Sequence, residues 1–217
     1  MIYKNGIIVS KEFNESFGDY TVIGTPTING TILTDCSKTS YIKYSFPMVI
    51  RTSDSVVTFC GSYIIPDTSA VLWVVNNDYW RIRIEARTSS ILFTNSSFAG
   101  IKLSYPSNVS IGDKLYYRAT YTNGAQTLDV YKDEEKILSG TSSHENYDTW
   151  NINGEYVKIS NICLGGYSGS YSTSLSGNTV QDLADFLVLV DDKPVFFPKI
   201  KPTISNYQTT AIEFYEI

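Results

Sequence analysis

The stretch from Asp113 to Asp133 constrains the fold more than any other part of the chain, because it is two alternating runs joined by Asn123-Gly124. In the first run Leu115, Tyr117, Ala119 and Tyr121 share one face, while Tyr116, Arg118, Thr120 and Thr122 share the other, since successive strand side chains point to opposite sides. One face is suited to a core and the other to water or a ligand. Asn-Gly supplies the positive-φ residues of a tight hairpin turn, so Leu128 and Val130 fold back as the partner strand. The charged turn Asp133-Glu134-Glu135-Lys136 then sends the chain back once more, toward Ile137-Leu138.

The rest of the chain repeats this grammar. Asn5-Gly6 joins Ile2-Tyr3-Lys4 to Ile7-Ile8-Val9, and Asn29-Gly30 joins Thr27-Ile28 to Thr31-Ile32-Leu33. Tyr41–Phe46 alternates. Ser55–Ile64 is β-branched and aromatic, with Gly61 read as a bulge. Val71–Val75 is a compact apolar run, and in Tyr79–Glu85 the residues Trp80, Ile82 and Ile84 face one way while Tyr79, Arg81, Arg83 and Glu85 face the other. Short strands follow at Ser90–Thr94, Gly100–Tyr105 and Tyr156–Leu164. Helical spacing competes only over Val180–Val190, at Leu183, Phe186, Leu187 and Val190. A turn at Gln181-Asp182 and a strand from Asp185 fit better, because the apolar run stops at Asp191-Asp192 and restarts at Val195. Ala211–Tyr215 reads as a terminal strand. The expected fold is an all-β, two-sheet antiparallel β-sandwich, with residues 1–14 as an N-terminal β-hairpin arm able to dock and residues 15–217 as the sandwich.

A chain of 217 residues buries about 70% of its unfolded surface, so it needs no covalent staple. Cys36, Cys60 and Cys163 are odd in number and lack C-x-x-C spacing, which favours free buried thiols over disulfides or zinc. A net charge of −5 with 17 lysines and arginines weighs against nucleic acid. Residues 1–9 hold no apolar core long enough for a secretion signal, and no later run could span a bilayer, so synthesis in the cytoplasm without membrane insertion is expected. The 17 tyrosines suit strands, interfaces and sugar-stacking surfaces alike.

Candidate ligand-binding residues fall in two groups. Tyr79, Arg81 and Arg83, joined by Tyr116 and Arg118 if the two strands share a sheet, would combine aromatic rings with fork-like donors, as sugars require. The competing view is a solvated face whose arginines pair with Glu85. Trp150, Tyr167 and Tyr171 sit in polar loops, where large aromatics carry binding energy. Trp73 and Trp80 alternate with β-branched residues and are read as core. His144 is an exposed loop histidine without the surroundings of a Ser-His-Asp triad. Asn76-Asn77-Asp78 and Asp191-Asp192 could hold calcium through oxygen ligands, although such residues are common in turns anyway. No catalytic, metal or cofactor residue is assigned.

The run Ile111-Gly112-Asp113-Lys-Leu-Tyr-Tyr117, Tyr121-Thr-Asn-Gly124 and Leu128-Asp-Val-Tyr-Lys-Asp133 resembles the hairpins of laminin-G-like domains in the concanavalin A-like lectin/glucanase superfamily. The later segment through Asn178-Thr-Val-Gln-Asp182-Leu183, Phe186–Val190 and Lys193-Pro-Val-Phe-Phe-Pro198 is similar to the ending of such domains in phage tail and fibre proteins. The resemblance covers roughly Tyr20–Pro198 and implies a concanavalin A-like jelly roll. It further implies a non-catalytic lectin or adhesion module on a virion surface, with cell-surface glycans and other virion proteins as partners, in a homo-oligomer or larger assembly. A purely structural virion decoration protein is the alternative, and a glycoside hydrolase the second. The glucanases' E-x-D-x-(x)-E strand is missing, since Glu85 stands beside Arg81 and Arg83 and Glu134-Glu135 lie in a turn. No carboxylate cluster like that of calcium-binding and manganese-binding lectins surrounds His144.

Overall fold

The computed structural model describes residues 2–4, 7–9, 20–51, 55–76, 81–95, 100–122, 125–143, 156–166 and 180–198. Its strands are β1 (Ile2–Lys4), β2 (Ile7–Val9), β3 (Tyr20–Ile23), β4 (Thr27–Asn29), β5 (Ile32–Thr34), β6 (Tyr41–Arg51), β7 (Val57–Ile64), β8 (Ala70–Asn76) and β9 (Arg81–Ala86). They continue as β10 (Ser90–Asn95), β11 (Gly100–Ser104), β12 (Lys114–Thr122), β13 (Ala125–Lys132), β14 (Glu135–Ser143), β15 (Tyr156–Leu164), β16 (Gln181–Asp182), β17 (Leu187–Val190) and β18 (Lys193–Phe196).

Two antiparallel sheets form the body. A seven-stranded sheet runs β11-β10-β9-β8-β15-β6-β3, and a six-stranded sheet runs β14-β13-β12-β7-β17-β18. A three-stranded sheet, β16-β5-β4, places Leu33 and Leu183 in the core at one end. The β1–β2 hairpin, in register from Ile2↔Val9 to Lys4↔Ile7, forms a separate two-stranded sheet. The expected sandwich is therefore the fold, and period-two burial produces it. In β12, Leu115, Tyr117, Ala119 and Tyr121 are buried, while Tyr116, Arg118, Thr120 and Thr122 are half-buried on the opposite face.

The core forms where the two inner faces meet. Trp73 of the seven-stranded sheet stacks on Phe59 of the six-stranded one with ring centroids 4.4 Å apart, and Phe93 and Phe186 pack around the indole. A register shift between Val71 and Trp73 lets Leu72 and Trp73 both contribute to this core. Trp73 is thus core as its neighbours foretold, while Trp80 lies outside the described residues. Burying an aromatic or large aliphatic side chain contributes about 1.5–3 kcal/mol, so the interdigitated interior is the main stabilising element.

Two local readings change. Gln181-Asp182 is not a turn but strand β16, paired with Ile32 and Leu33. A single 3-10 turn at Leu183–Asp185 follows, capped by the Asp182 carboxylate accepting from the Ala184 N–H, and the next strand starts at Leu187 rather than Asp185. Helical spacing in this segment thus realises one turn before the β-branched run takes over. Gly61 is not a bulge either, because β7 and β12 stay in unbroken register from Lys114↔Ile64 to Tyr121↔Val57. The paired turns at Asp133-Glu134 and Asp191-Asp192 have positive φ at both residues, which is how two-residue hairpin turns match strand twist.

Candidate functional site

The outer face of the seven-stranded sheet is organised by β9. Ile82 and Ile84 point into the core and Arg83 and Glu85 point outward, as alternation requires. Glu85 is only 1% exposed although it faces away from the core. The Arg83 Nε donates to one of its oxygens at 2.6 Å and the Arg87 guanidinium donates to the other at 2.9 Å. The two arginine side chains are 25% and 37% exposed, so Glu85 forms a buried base under two partly open guanidinium groups. Each arginine uses one nitrogen on Glu85. The Arg87 Nε is buried without an acceptor, and the two Arg83 Nη groups have none among the described residues. Lys102 lies on the same face, since Leu92 is the register partner of both Glu85 and Lys102.

The outer face of the six-stranded sheet differs in kind. Its central rungs are Tyr116↔Tyr131, Arg118↔Asp129 and Thr120↔Thr127, and the two threonine hydroxyls bond to each other. The charges are cross-paired: Arg118 donates to Asp192 at 3.3 Å, Lys136 to Asp129 at 3.0 Å, and Lys114 pairs with Asp185 at 3.0 Å and Asp182 at 3.6 Å. Partial burial works against the Lys114 charge, but the Asp185 carboxylate outweighs it and raises the lysine's pKa. The same lysines lie over the tyrosines, Lys114 5.0 Å from the Tyr116 ring centre and Lys136 5.7 Å from that of Tyr131.

Arg83 and the pair Tyr116 and Arg118 therefore do not form one patch. β9 and β12 belong to different sheets, and their outward faces point to opposite sides of the sandwich. The competing view of Arg83, paired with Glu85, holds for one of its nitrogens. Tyr79, Trp150, Tyr167, Tyr171 and the Arg81 side chain lie outside the described residues. Arg87 was missed by the sequence reading, although it continues the period-two row Arg81, Arg83, Glu85. Lys102 was missed because the pairing of β9, β10 and β11 sets it on the outward face of β9, two strands away.

Apart from the exposed Asp133, Glu134 and Glu135 at the β13–β14 turn, the described carboxylates accept hydrogen bonds or pair with cations. Asp191 accepts from the Val56 N–H at 2.9 Å and from the Ser55 hydroxyl at 3.0 Å, and Asp192 accepts from Arg118. These are the oxygens that a calcium ion at Asp191-Asp192 would need, whereas Asn77 and Asp78 lie outside the described residues. Among the described residues no three His, Cys, Asp or Glu side chains gather to hold a metal ion. Asp182 and Asp185 share Lys114 as a partner. Asp182 also caps the 3-10 turn, and Asp185 accepts from the Ser62 hydroxyl at 2.7 Å.

These features define a two-sheet antiparallel β-sandwich with one ion-paired outer face and one on which arginine nitrogens are left without acceptors among the described residues. No family profile matches the sequence, and no curated protein does. Solved structures do match in fold. The binding domain of botulinum neurotoxin serotype G superposes with a TM-score of 0.57 at 12% identity over 84% of this chain and 45% of that one. The botulinum neurotoxin serotype D binding domain gives 0.53 at 12% identity, over 88% and 47%. The Lotus tetragonolobus seed lectin gives 0.50 at 12% identity, over 81% of this chain and 95% of the lectin. The chain thus spans about half the length of the toxin domains and nearly the whole lectin, and shares with them a β-sandwich fold.

Proposed function

We propose that the protein is a non-catalytic binding module for cell-surface glycans, displayed on a phage virion, where repeated copies raise weak sugar affinity through avidity. One observation carries this reading. Around Glu85 the partly exposed Arg83 and Arg87 keep terminal guanidinium nitrogens without acceptors among the described residues, while Asp113, Asp182, Asp185, Asp191 and Asp192 are each bound to lysine, arginine or backbone. Likeness in fold to a seed lectin and to toxin binding domains supports it. The module works without a cofactor. A glycan array probed with a multimerised form of the full chain tests the reading: selective binding that survives chelation of divalent ions is expected, and the absence of any glycan signal overturns it. Turnover of a bound polysaccharide, abolished by one acidic substitution, would replace it with a hydrolase.

A second reading, a structural decoration protein, is favoured by the β1–β2 hairpin, which forms a sheet of its own and could add a strand to a partner. Deleting residues 1–10 separates the two: loss of assembly with glycan binding intact is the mark of a docking arm.

A further inference from the structure

We propose that the ligand is an acidic polysaccharide, bearing uronate or sulfate groups, and that it is held on the outer face of the seven-stranded sheet by Arg83, Arg87 and Lys102. This rests on the glycan-binding reading above and narrows it to one face and one class of sugar.

Charge pattern carries the inference. The chain as a whole is acidic, at −5. On the six-stranded sheet Lys114, Arg118 and Lys136 each have a carboxylate partner, and Lys193 on the edge strand β18 stands alone without one among the described residues. On β9, β10 and β11 the outward row carries Arg83, Arg87 and Lys102 against Glu85 alone, and Glu85 lies beneath the arginines at 1% exposure. Lys102 is exposed and has no acidic partner among the described residues. Lys43 lies on the same side of the sheet but stands apart from this row, because Val74 and Cys163, which separate it from Arg83 in register, are buried in a cluster with Tyr41 and Val71.

Glu85 holds the two guanidinium groups, each through one nitrogen, which leaves the Nη pair of Arg83 and one Nη of Arg87, whose Nε is buried, without acceptors among the described residues. Planar forked donors fit a carboxylate or sulfate with two parallel bonds. Because Glu85 already holds the side chains in place, little rotamer entropy is lost when the ligand arrives. Strands stand about 4.8 Å apart, so Glu85 and Lys102, two strands apart, are separated by roughly 10 Å along the sheet. Such sparse charge suits a polymer with one anionic group every sugar or two, and not the dense phosphates of nucleic acid, one charge per about 1.7 Å of duplex.

The test is retention of the native full-length chain on immobilised polygalacturonate and chondroitin sulfate, with dextran, duplex DNA and phosphatidylserine vesicles as comparisons. Retention on the two acidic polysaccharides, lost as salt rises from 50 to 500 mM on the order expected of screening, is the predicted result. Lys102→Gln should weaken it several-fold and Lys102→Gln with Arg87→Gln at least tenfold, while Lys193→Gln on the other sheet leaves it unchanged. Thermal melting of each variant shows that it is folded, and Lys102→Gln, which breaks no bond within the described residues, keeps the test valid if the double variant melts early. Equal retention on dextran overturns the acidic class and leaves the glycan-binding reading standing. Tighter capture by DNA or vesicles overturns the choice of ligand, and native-like retention of both variants overturns the face. No retention on any polysaccharide removes both proposals.

Discussion

Gly61 stands directly across the ladder from Tyr117, and the Tyr117 hydroxyl occupies the space into which a β-carbon at position 61 would project. The tyrosine ring thus folds over its cross-strand neighbour within the core, and its buried hydroxyl lies near the Trp73 indole N–H without forming a well-aligned hydrogen bond. Gly61→Ala should destabilise the sandwich by about 2 kcal/mol, as overpacking does. Tyr117→Phe removes a buried hydroxyl whose neighbouring donor, the Trp73 indole N–H, is poorly aligned with it, and should be close to neutral. In the double variant the cost should fall below that of Gly61→Ala alone, which chemical denaturation and a double-mutant cycle would measure. Additive effects would show that the two side chains do not compete.

Glu85 is bound by two guanidinium groups and closed off from water. Glu85→Gln leaves both arginines without their counter-charge and should cost about 2 kcal/mol, toward the lower end for a broken buried pair because the arginines reach solvent. Urea denaturation of the variant against the native chain tests it, and a change within error would mean that the triad contributes nothing net.

The Tyr63 and Tyr105 hydroxyls bond to each other at 2.9 Å. Burial pushes Tyr105 up to about 12, partly offset by its bond to Tyr63, and burial followed by the Tyr105 contact holds Tyr63 well above the ordinary tyrosine value. Both folded values exceed the unfolded value of about 10, so the stability they contribute is fully present below pH 10 and is lost as pH rises toward 12. Alkaline unfolding should start above pH 10, with part of the tyrosine absorbance change appearing only as the fold is lost. Tyr105→Phe should make that pH dependence shallower, and ionisation of all tyrosines in one step near 10 with the fold intact would contradict it.

All three cysteines are buried and none is in a disulfide. Burial pushes the Cys60 and Cys163 thiols up to about 12, far above the range in which thiolate forms at neutral pH. A thiol reagent at pH 8 should leave the folded protein unmodified for hours and label three thiols once denaturant is added. Fast labelling of the native state would mean that the sandwich opens locally at β7 or β15.

Much of the fold was legible because period-two alternation and turn chemistry act locally. Leu115, Tyr117, Ala119 and Tyr121 could be assigned to one face without any partner strand, and the same holds for Ile82 and Ile84 against Arg83 and Glu85. The free thiols followed from cysteine number and spacing. Gly61 was misread because the demand for a glycine comes from a ring on another strand, more than fifty positions away in sequence. Gln181-Asp182 was misread as a turn for the same reason, since its strand exists only through pairing with β5.

What the sequence determined by itself is the alternation of each strand, and hence an all-β chain with one apolar and one polar side per strand. Only the tertiary structure decided which strands share a sheet: β12 pairs with β7 and β13, whereas β9 pairs with β8 and β10, so Arg118 and Arg83 face opposite sides and Lys102 comes onto the face of Glu85, two strands away, instead. Side-chain direction follows from the backbone of one residue and its neighbours, but sheet membership is a competition among distant segments for the same hydrogen bonds and the same core, and no local pattern records its outcome.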